Sequence, residues 1–108
     1  MLNLTKETFE DAIADGVVLV DFWAGWCGFC RMLEPVVDAL QSKHGSGLKV
    51  AKVNVDSQPE LAARYGVTAL PTIIVFVNGE EADRRMGMQT IEALEGMIAG
   101  RIAQTGEA

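Results

Sequence analysis

The stretch Val18-Leu-Val-Asp-Phe-Trp-Ala-Gly-Trp-Cys-Gly-Phe-Cys30 constrains this chain more than any other. Five of its first six residues are apolar, with Asp21 the exception, the pattern of a strand buried on both faces of a sheet. The run breaks at Ala24-Gly25, and two cysteines follow as Cys27-x-x-Cys30. In Arg31–Leu40, the residues Met32, Leu33, Val36, Val37 and Leu40 then recur at helical intervals. A dithiol therefore sits where a strand ends and a helix begins. The unpaired N–H groups at a helix start favour negative charge, so Cys27 is expected to form a thiolate, the reactive state of cysteine, more readily than a free cysteine does.

Composition narrows what such a dithiol could do. The 108 residues suit one domain, 1–108, and a hydrophobic fraction of 49% is ample for a single core. A net charge of −6 argues against nucleic acid or an anionic membrane as partner. No apolar run approaches the roughly 18 residues of a membrane helix. The N-terminus, with Lys6, Glu7, Glu10 and Asp11, lacks a signal-peptide core, so a cytoplasmic location is expected. Thiols are kept reduced there, which points to redox or metal work rather than a structural staple. A zinc site wants four ligands, and the chain offers no third cysteine and a single histidine, His44, which reads as a surface residue at a helix C-terminus. No metal site is expected.

Along the rest of the chain, Asn3-Leu4 reads as a short edge strand. Thr5 is placed to cap a helix reaching Asp15, with Phe9, Ala12 and Ile13 inward, and Gly16 ends it. After the strand Val17–Trp23, the following helix should kink at Pro35 and close at His44-Gly45-Ser46-Gly47. Leu48–Val55 is the next strand, with Ala51, Val53 and Val55 on one face and Val50, Lys52 and Asn54 on the other. Ser57-Gln-Pro-Glu60 has the capping-box pattern and predicts a short helix to Tyr65, ended by Gly66. Thr72–Val77 reads as a buried strand, Asn78-Gly79 as a hairpin turn and Glu80–Met86 as an edge strand. Thr90 can cap a last helix carrying Ile91, Leu94, Met97, Ile98 and Ile102, and a loose tail is expected over Gln104–Ala108. Elements that alternate first and then turn back in a hairpin make an α/β chain with a mixed sheet, Thr72–Val77 running antiparallel to the two strands before it.

Trp26-Cys-Gly-Phe-Cys30 after an apolar strand, with Leu70-Pro71-Thr72 about forty residues on, resembles the thioredoxin family. The resemblance runs from about Leu4 to Ile102 and takes in Lys52-Val-Asn-Val-Asp56, Tyr65-Gly66, Phe76, Asn78-Gly79 and Gly87. It implies the thioredoxin-like fold: a central five-stranded mixed sheet flanked by four helices. It also implies a thiol–disulfide oxidoreductase that reduces disulfides in protein substrates through a redox-active Cys27–Cys30 pair. No bound cofactor is implied, and the partner that restores the dithiol would be a thioredoxin reductase, with the chain working as a monomer. By the same resemblance Cys27 is the attacking thiolate, Cys30 the resolving thiol, Asp21 a buried acid beneath them and Lys52 its neighbour. Pro71 would be a cis-proline facing the cysteines, and Trp26, Gly28, Phe29, Leu70, Gly87 and Met88 would border the surface where a substrate chain lies. An oxidase or isomerase of the same fold, or a non-enzymatic binding subunit, is the alternative.

Four residues carry competing readings. An unpaired carboxylate in an apolar strand is costly, so burial should raise the pKa of Asp21 toward a value useful for moving protons. Asp21 could instead face solvent at the strand end or pair with Lys52. Met86 and Met88 flank Gly87 either as a docking patch or as one buried and one surface residue. Phe29 stands where the family motif has proline. Its restored N–H is expected to reach the Cys27 sulfur, and a hydrogen bond to an ionised group, worth about 1.5–3 kcal/mol, would raise the reduction potential by about 30–60 mV. In the competing reading the ring points outward and enlarges the apolar surface.

Overall fold

Strands buried on two faces need a helical layer on each, and the chain supplies both. The computed structural model describes residues 1–104. Its elements are β1 (Leu2–Asn3), α1 (Phe9–Ile13), β2 (Val17–Trp23), α2 (Gly28–His44), β3 (Lys49–Asn54), α3 (Pro59–Arg64), β4 (Thr72–Val77), β5 (Glu80–Met86) and α4 (Ile91–Gln104). The five strands form one sheet in the order β1-β3-β2-β4-β5. β3 runs parallel to β1 and β2, whereas β4 is antiparallel to both β2 and β5. This is the mixed sheet with four flanking helices that the resemblance implied.

Side chains alternate across a strand, so β2 feeds two cores. Val17 and Leu19 join Leu33, Val37 and Leu40 of α2 and Leu94, Met97 and Ile98 of α4. Val18, Val20 and Phe22 join Phe9 and Ile13 of α1 and Leu61 of α3 on the opposite face. Asp21 follows Val17 and Leu19 in the alternation, so its carboxyl lies on the α2 side. Thr90 caps α4 as expected, its hydroxyl accepting the Ala93 N–H at 3.1 Å. At the Asn78-Gly79 turn both residues have positive φ, 49° and 88°, the conformation that joins tightly twisted strands.

Several local expectations are corrected. The edge strand is Leu2–Asn3 rather than Asn3-Leu4. Leu4 is buried, and its N–H still reaches the Lys52 carbonyl at 2.8 Å. The first helix is short, and Thr5 does not cap it; the Thr5 N–H bonds the Thr8 hydroxyl instead. The capping box at Ser57 is not made, because the Ser57 hydroxyl and N–H both turn back to Asn54. Gln58 takes the cap position there, without a side-chain capping bond. Met32, one of the apolar residues that recur at helical intervals in α2, is exposed. Of the expected loose tail, Gln104 ends α4 and residues 105–108 lie outside the described residues.

His44 is also more engaged than a surface reading allows. It hydrogen-bonds Glu95 of α4, whose other carboxylate oxygen is 3.0 Å from Lys43 Nζ. The His44 bond first, and Lys43 less strongly, hold the Glu95 carboxyl below its usual range against the opposing effect of partial burial. A depressed carboxylate stabilises the fold above its unfolded pKa, and that contribution is lost as pH falls through the lower folded value. Glu95→Gln is therefore expected to cost about 0.5–1 kcal/mol at pH 7, after allowance for solvent screening, and almost nothing near pH 3. Denaturant titrations at the two pH values check this.

Candidate active site

The dithiol is built by the first turn of α2. Cys27 is the N-cap residue, in extended conformation, and its Sγ accepts the N–H of Cys30 at 3.2 Å. A cysteine sulfur thus occupies the place where a serine or aspartate oxygen caps a helix. The Cys27 carbonyl accepts the Arg31 N–H, and the Arg31 guanidinium returns to the Gly25 carbonyl at 2.8 Å, closing the loop between β2 and α2. Both cysteines are free thiols and both are buried, Cys27 7% exposed and Cys30 3%. Burial, and then the hydrogen bond with Cys27, push the Cys30 thiol up to about 12; the charges of Cys27 and Asp21 add to the rise, and an Ala24 backbone hydrogen bond opposes it.

The donor to Cys27 corrects one expectation. The N–H that reaches the sulfur belongs to Cys30, not Phe29, and the Phe29 side chain is 60% exposed. The ring points outward, as the second reading of Phe29 has it.

Leu70 packs against Ala24 and the two cysteines, together with Trp23 and Val55. The Leu70–Pro71 bond is cis. The Thr72 hydroxyl donates to the Ala69 carbonyl at 2.6 Å and Gly87 N–H to the Pro71 carbonyl at 2.8 Å, so this loop is held from both sides. Gly87 takes φ 83°, a conformation that costs glycine little. Large apolar groups are left exposed beside the cysteines in the chain, at Trp26, Phe29 and Met32, and on either side of Gly87, at Met86 and Met88. Both methionines flanking Gly87 are exposed, which removes the reading of one buried and one free. Trp26 is tethered by its indole N–H to the Asp56 carboxylate at 3.0 Å. Gly28 is the first residue of α2, exposed, with open space where a side chain would begin.

Asp21 lies behind the cysteines, 2% exposed, and its Oδ1 has no hydrogen-bond partner. Burial pushes its carboxyl up to about 7; Lys52 opposes this and Glu34 adds to it. The solvent-facing reading of Asp21 is thereby set aside. Lys52 is its register partner on β3, but the Lys52 ammonium lies 3.7 Å from Glu34 Oε1 and 4.6 Å from the centre of the Trp23 ring. Among the described residues no cluster of three or more His, Cys, Asp or Glu could hold a metal ion.

Sequence reasoning missed Glu34, Asp56 and Met32. Met32 follows Phe29 by three residues, so it shares Phe29's helix face, a signal that was available. Asp56 and Glu34 meet their partners only through the fold.

Comparison with known proteins agrees with this geometry. The thioredoxin family model matches residues 1–100. Thioredoxin of Bacillus subtilis (strain 168) is 39% identical over 98 residues, 91% of this chain and 94% of that protein. Thioredoxin of Alicyclobacillus acidocaldarius subsp. acidocaldarius is 42% identical over 99 residues, with the same two coverages. Among solved structures, a mutant thioredoxin from Halobacterium salinarum NRC-1 superposes with a TM-score of 0.87 at 38% identity, covering 94% of this chain and 89% of that one. With a dithiol capping α2, a mixed sheet in this order and matches across nine-tenths of its length, the chain belongs to the thioredoxin family of thiol–disulfide oxidoreductases.

Proposed function

We propose that Cys27 is the nucleophile and Cys30 the resolving thiol of a protein-disulfide reductase. The observation that carries this is the capping geometry: Cys27 Sγ holds the cap position of α2, while Cys30 is kept protonated behind it. The Cys27 thiolate attacks one sulfur of a substrate disulfide, forming a mixed disulfide and releasing the other substrate sulfur as a thiolate. Cys30 then gives up its proton and attacks the Cys27 sulfur, releasing the second substrate thiolate. The substrate has gained two electrons and the chain holds a Cys27–Cys30 disulfide. Asp21, a buried carboxyl with a pKa of about 7, accepts the Cys30 proton. Lys52 modulates that carboxyl.

An extended substrate segment lies over Leu70-Pro71, bordered by Trp26, Gly28, Phe29, Gly87 and Met88. Proline presents no N–H at that point, and Leu70 offers its backbone for pairing. The electron pair enters and leaves through the two sulfurs, so the reading needs no resident cofactor. A thioredoxin reductase restores the dithiol, and the chain works as a monomeric domain in the cytoplasm, where thiols are kept reduced. No helix among the described residues is long and apolar enough to cross a membrane.

Insulin-disulfide reduction with NADPH and a thioredoxin reductase tests the function. Reduction dependent on the reductase is expected. Its absence, with disulfide formation in a reduced substrate instead, would favour the oxidase reading; inactivity in both assays would favour the binding subunit. Phe29 supplies a further check. Covering its exposed ring with substrate should contribute about 1 kcal/mol, so Phe29→Ala is expected to raise KM for protein substrates roughly fivefold and leave kcat nearly unchanged.

A further inference from the structure

We propose that Glu34 is a positioning residue for the resolving step: by drawing the Lys52 ammonium toward the α2 surface, it keeps that cation from closing an ion pair with the buried Asp21 carboxyl. This rests on the reading of Asp21 as proton acceptor. Asp21 and Lys52 face each other in register on β2 and β3, a placement that could have produced a buried ion pair. It has not. Lys52 Nζ is 3.7 Å from Glu34 Oε1 and stacks over Trp23 at 4.6 Å, while Asp21 Oδ1 has no hydrogen-bond partner. A lysine stem is long enough for its head to turn outward along apolar surface, here the Trp23 ring.

The charged and titratable groups around Asp21 are few. β3 contributes Lys52, and α2 contributes Glu34, Cys30 and its cap residue Cys27. The β4 register partner is Ile73, and α4 brings the apolar Leu94, Met97 and Ile98 to the same core. One cation and one outer anion therefore set the balance. With Lys52 committed to Asp21, the carboxyl would stay ionised through neutrality and make a poor proton acceptor. With Lys52 shared, the carboxyl titrates near neutrality, where it can both accept and release a proton. Glu34 is half exposed, so its pull on Lys52 is partly screened by solvent and salt.

The test is the Asp21 midpoint, read from its 13C carboxyl shift in the full-length reduced protein, beside the pH profile of insulin reduction. In Glu34→Gln the midpoint is expected to fall by roughly half a pH unit or more, from loss of an anion and return of the cation. The acid side of the Asp21-dependent step, where the carboxyl must be unprotonated to accept the Cys30 proton, should move with it. Lys52→Met should raise the midpoint, and in that background Glu34→Gln should have much less effect, because its lever is gone. An unmoved midpoint in Glu34→Gln overturns the proposal. An equal fall with and without Lys52 also overturns it, since Glu34 would then act by direct repulsion alone. A midpoint that moves while the pH profile stays fixed supports the Glu34 effect and removes Asp21 from the resolving step instead.

Discussion

Cys27→Ser is expected to abolish disulfide reduction, a loss on the order of a thousandfold or more, while Cys30→Ser is expected to arrest the reaction at a covalent complex. The two outcomes differ because the two sulfurs differ in setting, not in spacing. Cys27 Sγ caps α2 and receives an N–H; Cys30 is more deeply buried, with a thiol pushed up to about 12. At pH 7 such a thiol stays protonated, which leaves it a poor group to open an attack on substrate. Once the mixed disulfide has formed, Cys30 faces a bonded Cys27 sulfur next door, and proximity offsets its reluctance to ionise. Without Cys30 nothing resolves that bond. Non-reducing gels and mass spectrometry of Cys30→Ser with a disulfide substrate should show one substrate chain per protein, released by added thiol. Iodoacetamide should label Cys27 well before Cys30 in the unmodified chain. Trapping by Cys27→Ser in place of Cys30→Ser would reverse the roles.

How much of this was legible in advance depends on whether a residue's setting is local. The dithiol at a strand-to-helix junction is local: Val17–Trp23, the Ala24-Gly25 break and the apolar repeat of α2 lie in one continuous stretch. The hairpin is local too, because Asn78-Gly79 carries its own geometry. Capping was less legible. Ser57-x-x-Glu60 has the right residues, but Asn54 competes for the Ser57 N–H and hydroxyl, and a pattern of four residues does not contain its competitor. Phe29 was misread for a similar reason. Several first-turn N–H groups point toward a capping sulfur, and backbone geometry decides that the one at Cys30 reaches it. Least legible was the environment of Asp21. Strand alternation gives its face and β3 gives it Lys52, but Glu34 arrives from the helix above, thirteen residues on in the chain, and takes the cation. Charge balance in a buried site is a property of three elements at once.

Asp21→Asn is expected to make the protein more stable and slower. The sign follows from the raised pKa. Unfolded, the carboxyl titrates near 3.8; folded, near 7. Between those values the folded chain holds a proton that the unfolded chain has released, so stability declines as pH rises through the window and levels off above it. A shift of that size corresponds to roughly 4 kcal/mol, which is an upper figure because local opening and water entry relieve part of the burial. Asparagine keeps the shape and removes the titration. The variant should therefore match the parent near pH 4 and exceed it by about 2–4 kcal/mol at pH 8, in denaturant titrations of the reduced protein. The same change removes the acceptor for the Cys30 proton. A positioned acid or base contributes at least about tenfold in most settings, so the resolving step near pH 7 should slow by that much or more, with the formation of the mixed disulfide little altered. Rapid-quench measurement of the mixed disulfide separates the two steps. A gain in stability without any slowing would leave Asp21 as a buried cost with no part in proton transfer. Slowing without the pH-dependent gain would mean that its carboxylate finds solvent in the folded chain, and that burial is not what holds its pKa near neutrality.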